Sequence, residues 1–136
     1  MKTLCWSYVA LAVVGLSAAR ADAPVPNMEK YYLVLLERVP NAPKLEGSAL
    51  EELQKKHLGH LRAMYEAGKM VIAGPFDEQR DETLRGMCLY RVPTIDEARK
   101  LAEQDPMVRA GRLQVDVLAW WVEKGYLSFK PPPASK

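Results

Sequence analysis

The stretch HLGHLRAMYEAGKMVIAGPF, residues 57–76, changes its hydrophobic period halfway along. Apolar residues recur at helical spacing up to Ala67, and the following Gly68 is typical of a helix C-terminus. MVIAG, residues 70–74, is then a short apolar run of the kind that forms a buried strand. The stretch therefore predicts a helix over about residues 49–67 that leads directly into a strand.

The flanking sequence extends this pattern into an α+β fold. Strands are predicted at YYLVLLERV (31–39), LRGMCLYRV (84–92) and RLQVDVLAWWV (112–122), and a second helix lies between the last two. The order is β-α-β-β-α-β, for which right-handed crossovers give a ferredoxin-like arrangement. We predict a four-stranded antiparallel sheet with two helices on one face.

Local signals predict where both helices begin. Ser48 and Glu51 have the spacing of a capping box, in which each side chain satisfies a free backbone N–H of the first turn. The sequence from Pro93 to Glu97 marks the start of the second helix, and Pro106 forbids its continuation.

Both faces of the predicted sheet are apolar, although helices cover only one of them. A sheet with one face in water should alternate apolar and polar residues, and these strands do not. We therefore predict a homodimer packed sheet against sheet, with Trp120 and Trp121 divided between the dimer interface and the helix-side core. The lack of alternation is clearest in the first strand, where one face has Tyr31, Leu33 and Leu35 and the other has Tyr32, Val34 and Leu36.

Residues 1–21 have the layout of a secretory signal peptide. Lys2 precedes an apolar run over residues 8–16, and Ala19-Arg20-Ala21 is a signal-peptidase site, with a second possible site two residues later. The apolar run is too short for a bilayer of roughly 30 Å, which needs about 20 apolar residues. We predict cleavage near Ala21 and a periplasmic or secreted protein. Its domain spans 31–123, between flexible tails at 22–30 and 124–136.

Composition after cleavage excludes several classes of function. The chain has 19 Lys plus Arg and 17 Asp plus Glu, and removing Lys2 and Arg20 leaves 17 against 17. A chain without net charge or a basic cluster is a poor nucleic-acid partner, and no stable membrane association is expected. Cys5 is removed as well, so Cys88 remains without an intramolecular partner and is expected to be an inert buried thiol.

The two histidines differ in helical phase. At 100° per residue His57 lies in the middle of the apolar stripe formed by Leu53, Leu61 and Met64, whereas His60 lies at its margin. His57 is therefore either a core residue bonded to a backbone carbonyl or a reactive group in a pocket. Two histidines and one carboxylate fix no third ligand, so we predict neither a metal nor any other cofactor.

These features together resemble the YCII-related (YciI-like) family of small dimeric α+β barrel proteins. The resemblance covers about residues 31–121 and rests on four motifs in order, namely His57 on the first helix, Gly68 at its end, Ala73-Gly74-Pro75 after the second strand, and Asp105-Pro106 after the second helix. It implies the fold, the dimer and a pocket in which His57 faces Asp105. One branch of the family is similar to a dehydrochlorinase that acts on a chlorinated hydroxyquinol.

The resemblance implies that His57 and Asp105 form a pair, and these two residues are the candidate catalytic residues. A carboxylate bonded to one imidazole nitrogen fixes the tautomer and makes the other nitrogen a better base. No activated serine or cysteine is evident, so proton abstraction in an isomerisation or elimination fits better than covalent hydrolysis. Candidate substrate-binding residues near the pair are His60, Gly74, Pro75, Arg109 and Gly111. Arg109 and Arg112 have the charge to bind an anionic group, with solvated surface charge as the alternative role. Gly74, Pro75 and Gly111 are equally explained as turn and close-approach positions.

Two functions remain open from the sequence. One is a cofactor-independent lyase or isomerase that acts on a small cyclic or aromatic molecule. The other is a non-catalytic ligand-binding or structural homodimer of the cell envelope, in which the His/Asp contact only stabilises the fold.

Overall fold

The computed structural model describes residues 26–131, and the predicted signal peptide lies outside this range. The β-α-β-β-α-β order is confirmed, with a one-turn helix added before the last strand. No helix between residues 26 and 131 is long and apolar enough to cross a bilayer. The elements are β1 (Met28–Arg38), α1 (Gly47–Glu66), β2 (Met70–Pro75), β3 (Leu84–Tyr90), α2 (Ile95–Ala102), α3 (Pro106–Arg109) and β4 (Leu113–Glu123).

The strands form one antiparallel sheet in the order β2-β3-β1-β4, the strand order of the ferredoxin-like fold. β1 and β3 are central, and Leu33 of β1 pairs with Leu89 on one side and with Leu118 on the other. Because successive side chains alternate between faces, this register determines which residues share a face.

The helix ends differ in part from the prediction. α1 begins at Gly47, and its N-cap residue, Glu46, makes no side-chain capping bond. The predicted capping box at Ser48 is therefore wrong, since Ser48 already lies inside the first turn. Thr94 does cap α2, because its hydroxyl oxygen accepts a hydrogen bond from the backbone N–H of Glu97 at 3.1 Å. Pro106 ends no helix but begins α3, where its missing N–H costs nothing.

The buried core lies between the sheet and the helices. α2 buries Ala98 and Ala102 against it, whereas no residue of α1 is fully buried. A cavity lined by α1 side chains from Leu50 to Leu61 lies between this part of the helix and the sheet, and it leaves these side chains partly exposed. The buried sheet residues of this core are Tyr32, Val34, Leu36, Met70, Cys88, Tyr90 and Val117.

We call the sheet surface that the helices leave uncovered the outer face. Ile72, Leu118 and Trp120 lie on it and are 50%, 44% and 41% exposed. Trp121 points to the opposite side, as the alternation predicts. It is half-buried with the Lys30 ammonium 4.5 Å from its ring centroid, and it lies outside the buried core. The outer face is thus apolar and partly open in a single chain.

The ordered fold extends beyond the predicted domain at its N-terminal end. β1 begins at Met28, which pairs with Glu123 of β4, so three residues of the predicted tail over 22–30 belong to the sheet.

The segment over residues 124–131 also packs on the fold, in contrast to the predicted tail. The ring of Phe129 meets that of Tyr31 edge-on at 5.9 Å between centroids. The hydroxyl of Tyr65, near the end of α1, donates to the backbone oxygen of Lys130 at 3.1 Å. The segment therefore links the edge of the outer face to α1 and helps to bury Tyr31.

Candidate active site

His57 and Asp105 meet where α1 packs against α3. The Nδ1 atom of His57 lies 2.7 Å from Oδ2 of Asp105, although the residues are 48 positions apart in the chain. The two side chains are 12% and 2% exposed. The structure thus brings the two candidate catalytic residues into direct contact.

The second carboxylate oxygen of Asp105 has a structural partner. Oδ1 accepts a hydrogen bond from the backbone N–H of Met107 at 2.8 Å, so Asp105 is the N-cap of α3. Because both oxygens are engaged, the orientation of this buried side chain is fixed.

The contact determines which imidazole nitrogen is free. An ionised carboxylate only accepts hydrogen bonds, so it favours the tautomer of His57 with its proton on Nδ1. Nε2 then carries the lone pair, and that nitrogen is the one available to a bound molecule. The arrangement suits a general base held in one orientation.

A cavity of about 1050 Å³ lies beside the pair, with His57 in its wall. It is bounded by α1, by the loop over residues 39–46 that joins β1 to α1, and by the ends of strands β1, β2 and β3. Its wall combines an apolar part with polar and charged side chains, as small-molecule sites do. The apolar residues include Leu36, Leu61, Met87, Met107 and Leu113.

Cys88 also lines the cavity, but its thiol is not activated. It is 2% exposed, and its burial, together with the nearby charge of Asp105, raises the pKa of the thiol to about 12. Burial likewise raises the pKa of the neighbouring Tyr90 hydroxyl. The thiol is protonated at neutral pH, in agreement with the expected inert role.

The comparison with protein families identifies the chain. A family model described as the YCII-related domain matches residues 30–121. The chain belongs to the YCII-related domain family. The resemblance in the sequence motifs is thereby confirmed over the same region.

The YCII-related domain was also compared with individual proteins. Among solved structures it is similar to the 5-chloro-2-hydroxyhydroquinone dehydrochlorinase TftG from Burkholderia phenoliruptrix AC1100, in complex with 2,5-dihydroxybenzoquinone. The identity is 18%, the match covers 66% of this chain and 92% of that chain, and the TM-score is 0.44. None of the curated proteins matches it in sequence.

The other predicted site residues of this YCII-related domain divide into two groups. Gly74 and Pro75, at the end of β2, line the cavity with His57. His60, Arg109 and Gly111 do not line it. His60 is half-buried, and its Nε2 atom is enclosed without a hydrogen-bond partner in the described chain.

Arg109 and Gly111 lie away from the cavity for a local reason. Residues 106–109 form α3, which the sequence analysis did not predict, and Arg109 is exposed on it. Gly111 is exposed in the turn after α3 with a φ of +67°, a left-handed conformation that suits glycine. These two residues therefore lie in the connection into β4, outside the cavity lining.

Three polar residues of the cavity, Arg38, Lys44 and Arg85, were not predicted as site residues. Arg112, which the sequence named together with Arg109 for an anionic group, lines the cavity as well. Their positions in the sequence could have indicated this, since the strand order places the end of β1, the start of β3 and the start of β4 at one end of the sheet. No group of three His, Cys, Asp or Glu residues that could hold a metal ion occurs between residues 26 and 131.

Proposed function

We propose that this protein is a cofactor-independent enzyme that uses His57 as a general base and acid on a small cyclic or aromatic molecule. The observation that carries the proposal is that a carboxylate-oriented imidazole lines a largely apolar cavity. Asp105 is the positioning residue, because it acts on the substrate only through His57.

The reaction class follows from the groups available. Nε2 of His57 accepts a proton from an acidic C–H of the substrate, and the electron pair shifts into the ring. In an isomerisation the imidazolium returns the proton at another atom, whereas in an elimination the pair expels a leaving group. A covalent intermediate on Cys88 is disfavoured, since its thiol stays protonated.

The test removes the base while it preserves the contact with Asp105. In His57→Asn the amide N–H takes the place of the Nδ1–H donor, so the buried carboxylate keeps a partner. The assay follows exchange of substrate C–H protons for deuterium by NMR, with a panel of cyclic enones, lactones and halogenated hydroxyquinols. The wild type should catalyse exchange in at least one compound, and the variant should be slower by about 10²- to 10⁴-fold.

His60→Asn is the matched control, because it places the same substitution three residues away on α1, outside the cavity. It should leave the exchange rate close to that of the wild type. Equal rates for His57→Asn and the wild type would refute the enzymatic role and favour the non-catalytic ligand-binding or structural alternative.

We further propose that the protein is a homodimer in which two outer faces pack together. The exposed Ile72, Leu118 and Trp120 support this, because an open apolar sheet face is costly in water. The proposed dimer encloses the outer faces and leaves each cavity, on the helix side of its own sheet, accessible.

Export is proposed from the sequence alone, since residues 1–21 lie outside the described range. Expression in a Gram-negative host with its own signal sequence should give a periplasmic product whose N-terminal residue is Asp22. Mass spectrometry of the purified periplasmic fraction measures this directly. Full-length chain confined to the cytoplasm would contradict it.

A further inference from the structure

The cavity has four cationic side chains in its lining. Arg38 ends β1, Arg85 lies near the start of β3, and Arg112 directly precedes β4, so three neighbouring strands bring guanidinium groups to one end of the sheet. Lys44 is added from the loop between β1 and α1. Glu46 is the one carboxylate that the described chain contributes to this lining. We call the four cations the cationic rim.

Within residues 26–131, no carboxylate forms an ion pair with the cationic rim. Glu78 and Glu82 border an adjoining depression together with Arg38 and Arg85, but neither carboxylate comes within ion-pair distance. Four cations and the one carboxylate of Glu46 leave an excess of positive charge in the lining. Such an excess at a partly enclosed cavity attracts an anion.

Arg112 is the member best placed to bind that ion. It is half-buried, unlike the exposed Arg38 and Arg85, so its charge is less screened by water. One Nη1–H donates to the backbone oxygen of Pro43, which fixes the guanidinium beneath the loop. Its remaining N–H groups have no protein partner in the described range, and a planar guanidinium matches the two oxygens of a carboxylate.

We propose that the cavity binds a small cyclic carboxylic acid, with its carboxylate on the cationic rim, chiefly on Arg112, and its ring against the apolar wall. This inference rests on the proposed function, because it names the substrate class of the same site. In this proposal the side chains at the strand ends recognise the carboxylate of the ligand, and His57 on α1 transfers the proton. It also makes Arg112, and not Arg109, the specificity-determining arginine.

The experiment compares two flat probes of the same shape, benzoate and benzamide, by NMR titration of the protein. Benzoate should bind at least about tenfold more tightly, which is a difference of about 1.4 kcal/mol. Raising the ionic strength from about 0.01 to about 0.1 M should weaken benzoate binding and leave benzamide binding unchanged. Arg112→Gln should lower the benzoate affinity to that of benzamide.

Arg109→Gln is the matched control, since it removes an arginine three residues away that lies outside the cavity, and its benzoate affinity should equal that of the wild type. If Arg112→Gln fails to fold, Arg85→Gln takes its place with an expected loss of about threefold. Equal affinities for benzoate and benzamide, no binding of either, or equal effects of the Arg112 and Arg109 variants would each overturn the proposal. Because binding is measured instead of turnover, the result does not depend on whether His57 performs chemistry.

Discussion

At the scale of single residues, Asp105 has two roles, since it caps helix α3 and orients the candidate base His57. One carboxylate oxygen caps α3 through Met107 and the other orients His57. Removing the side chain would disturb both at once, so only a variant that separates them is informative.

Asp105→Asn makes this separation. The amide oxygen still accepts the bond from Met107, but the amide N–H₂ donates to Nδ1 of His57 and drives the imidazole proton to Nε2. We expect proton-exchange activity to fall at least about a hundredfold, with little change in melting temperature. Imidazole ¹⁵N shifts should report the changed tautomer. Unchanged shifts and unchanged exchange together would show that Asp105 does not set the tautomer.

The raised pKa of Cys88 leads us to expect a loss of stability at alkaline pH. Its ordinary pKa of 9.0 is raised to about 12 by burial and by Asp105. Between these values the unfolded chain releases a proton that the folded chain retains, so the free energy of unfolding falls as pH rises above 9.0. Chemical unfolding at several pH values should show a shallower decline for Cys88→Ala than for the wild type. Parallel declines would mean that the thiol is not protonated preferentially in the fold.

The sequence predicted some of these residue positions and missed others for a physical reason. Helical phase was sufficient to separate His57 from His60, because α1 is regular. Arg109 lies outside the cavity lining because the turn at Asp105 and Pro106 starts α3, and one helical turn changes which side chain faces the cavity. The contact of Arg112 with Pro43 joins residues 69 apart, so no local pattern indicates it.

At the scale of elements, the close approach of β2 and β3 forms part of the cavity wall. A Cβ on Gly86 would lie 2.6 Å from the backbone oxygen of Gly74, whereas a Cβ on Gly74 would meet nothing within 4 Å. Gly86→Ala should lower the free energy of unfolding by about 1–3 kcal/mol, since backbone must shift. Gly74→Ala is the control and should stay within about 0.5 kcal/mol. Thermal unfolding measures both, and equal stabilities would contradict so close an approach of the two strands.

The two helix starts give a second pair of variants. Thr94 makes a capping bond and Ser48 makes none. Thr94→Ala should therefore cost about 1 kcal/mol of stability, whereas Ser48→Ala should cost nothing measurable. Urea unfolding distinguishes the two outcomes. A larger loss for Ser48→Ala would restore the capping box that the sequence predicted.

The helices and strands could be predicted from the sequence because the hydrophobic periodicity of these segments is strong. The loop over residues 39–46 could not, since its position depends on the contact with Arg112 and on packing around the cavity. The fold was thus predictable from local patterns, whereas the part of the cavity wall formed by this loop depended on contacts between distant segments.

At the scale of the whole molecule, the outer face predicts the assembly. Sedimentation at micromolar concentration should give twice the mass of one chain. Leu118→Glu places a charge on the outer face and should give the mass of a single chain, because a buried unpaired carboxylate is costly. Leu58→Glu is the control, since Leu58 is similarly exposed but lies on α1. A single-chain mass for the wild type would refute the dimer.

The segment over residues 124–131 closes the end of the sheet where β1 starts, and the cavity opens at the end where β1 stops. The residues that line the cavity and the residues that hold this segment therefore lie in separate parts of the domain. Substitutions in the loop over 39–46 or at the strand ends can change which ligand the proposed site prefers. They leave the contact of Phe129 with Tyr31 and the hydrogen bond of Tyr65 with Lys130 unchanged. Ligand preference can therefore diverge during evolution through changes at the cavity end of the sheet, while the contacts at the other end keep the domain stably folded.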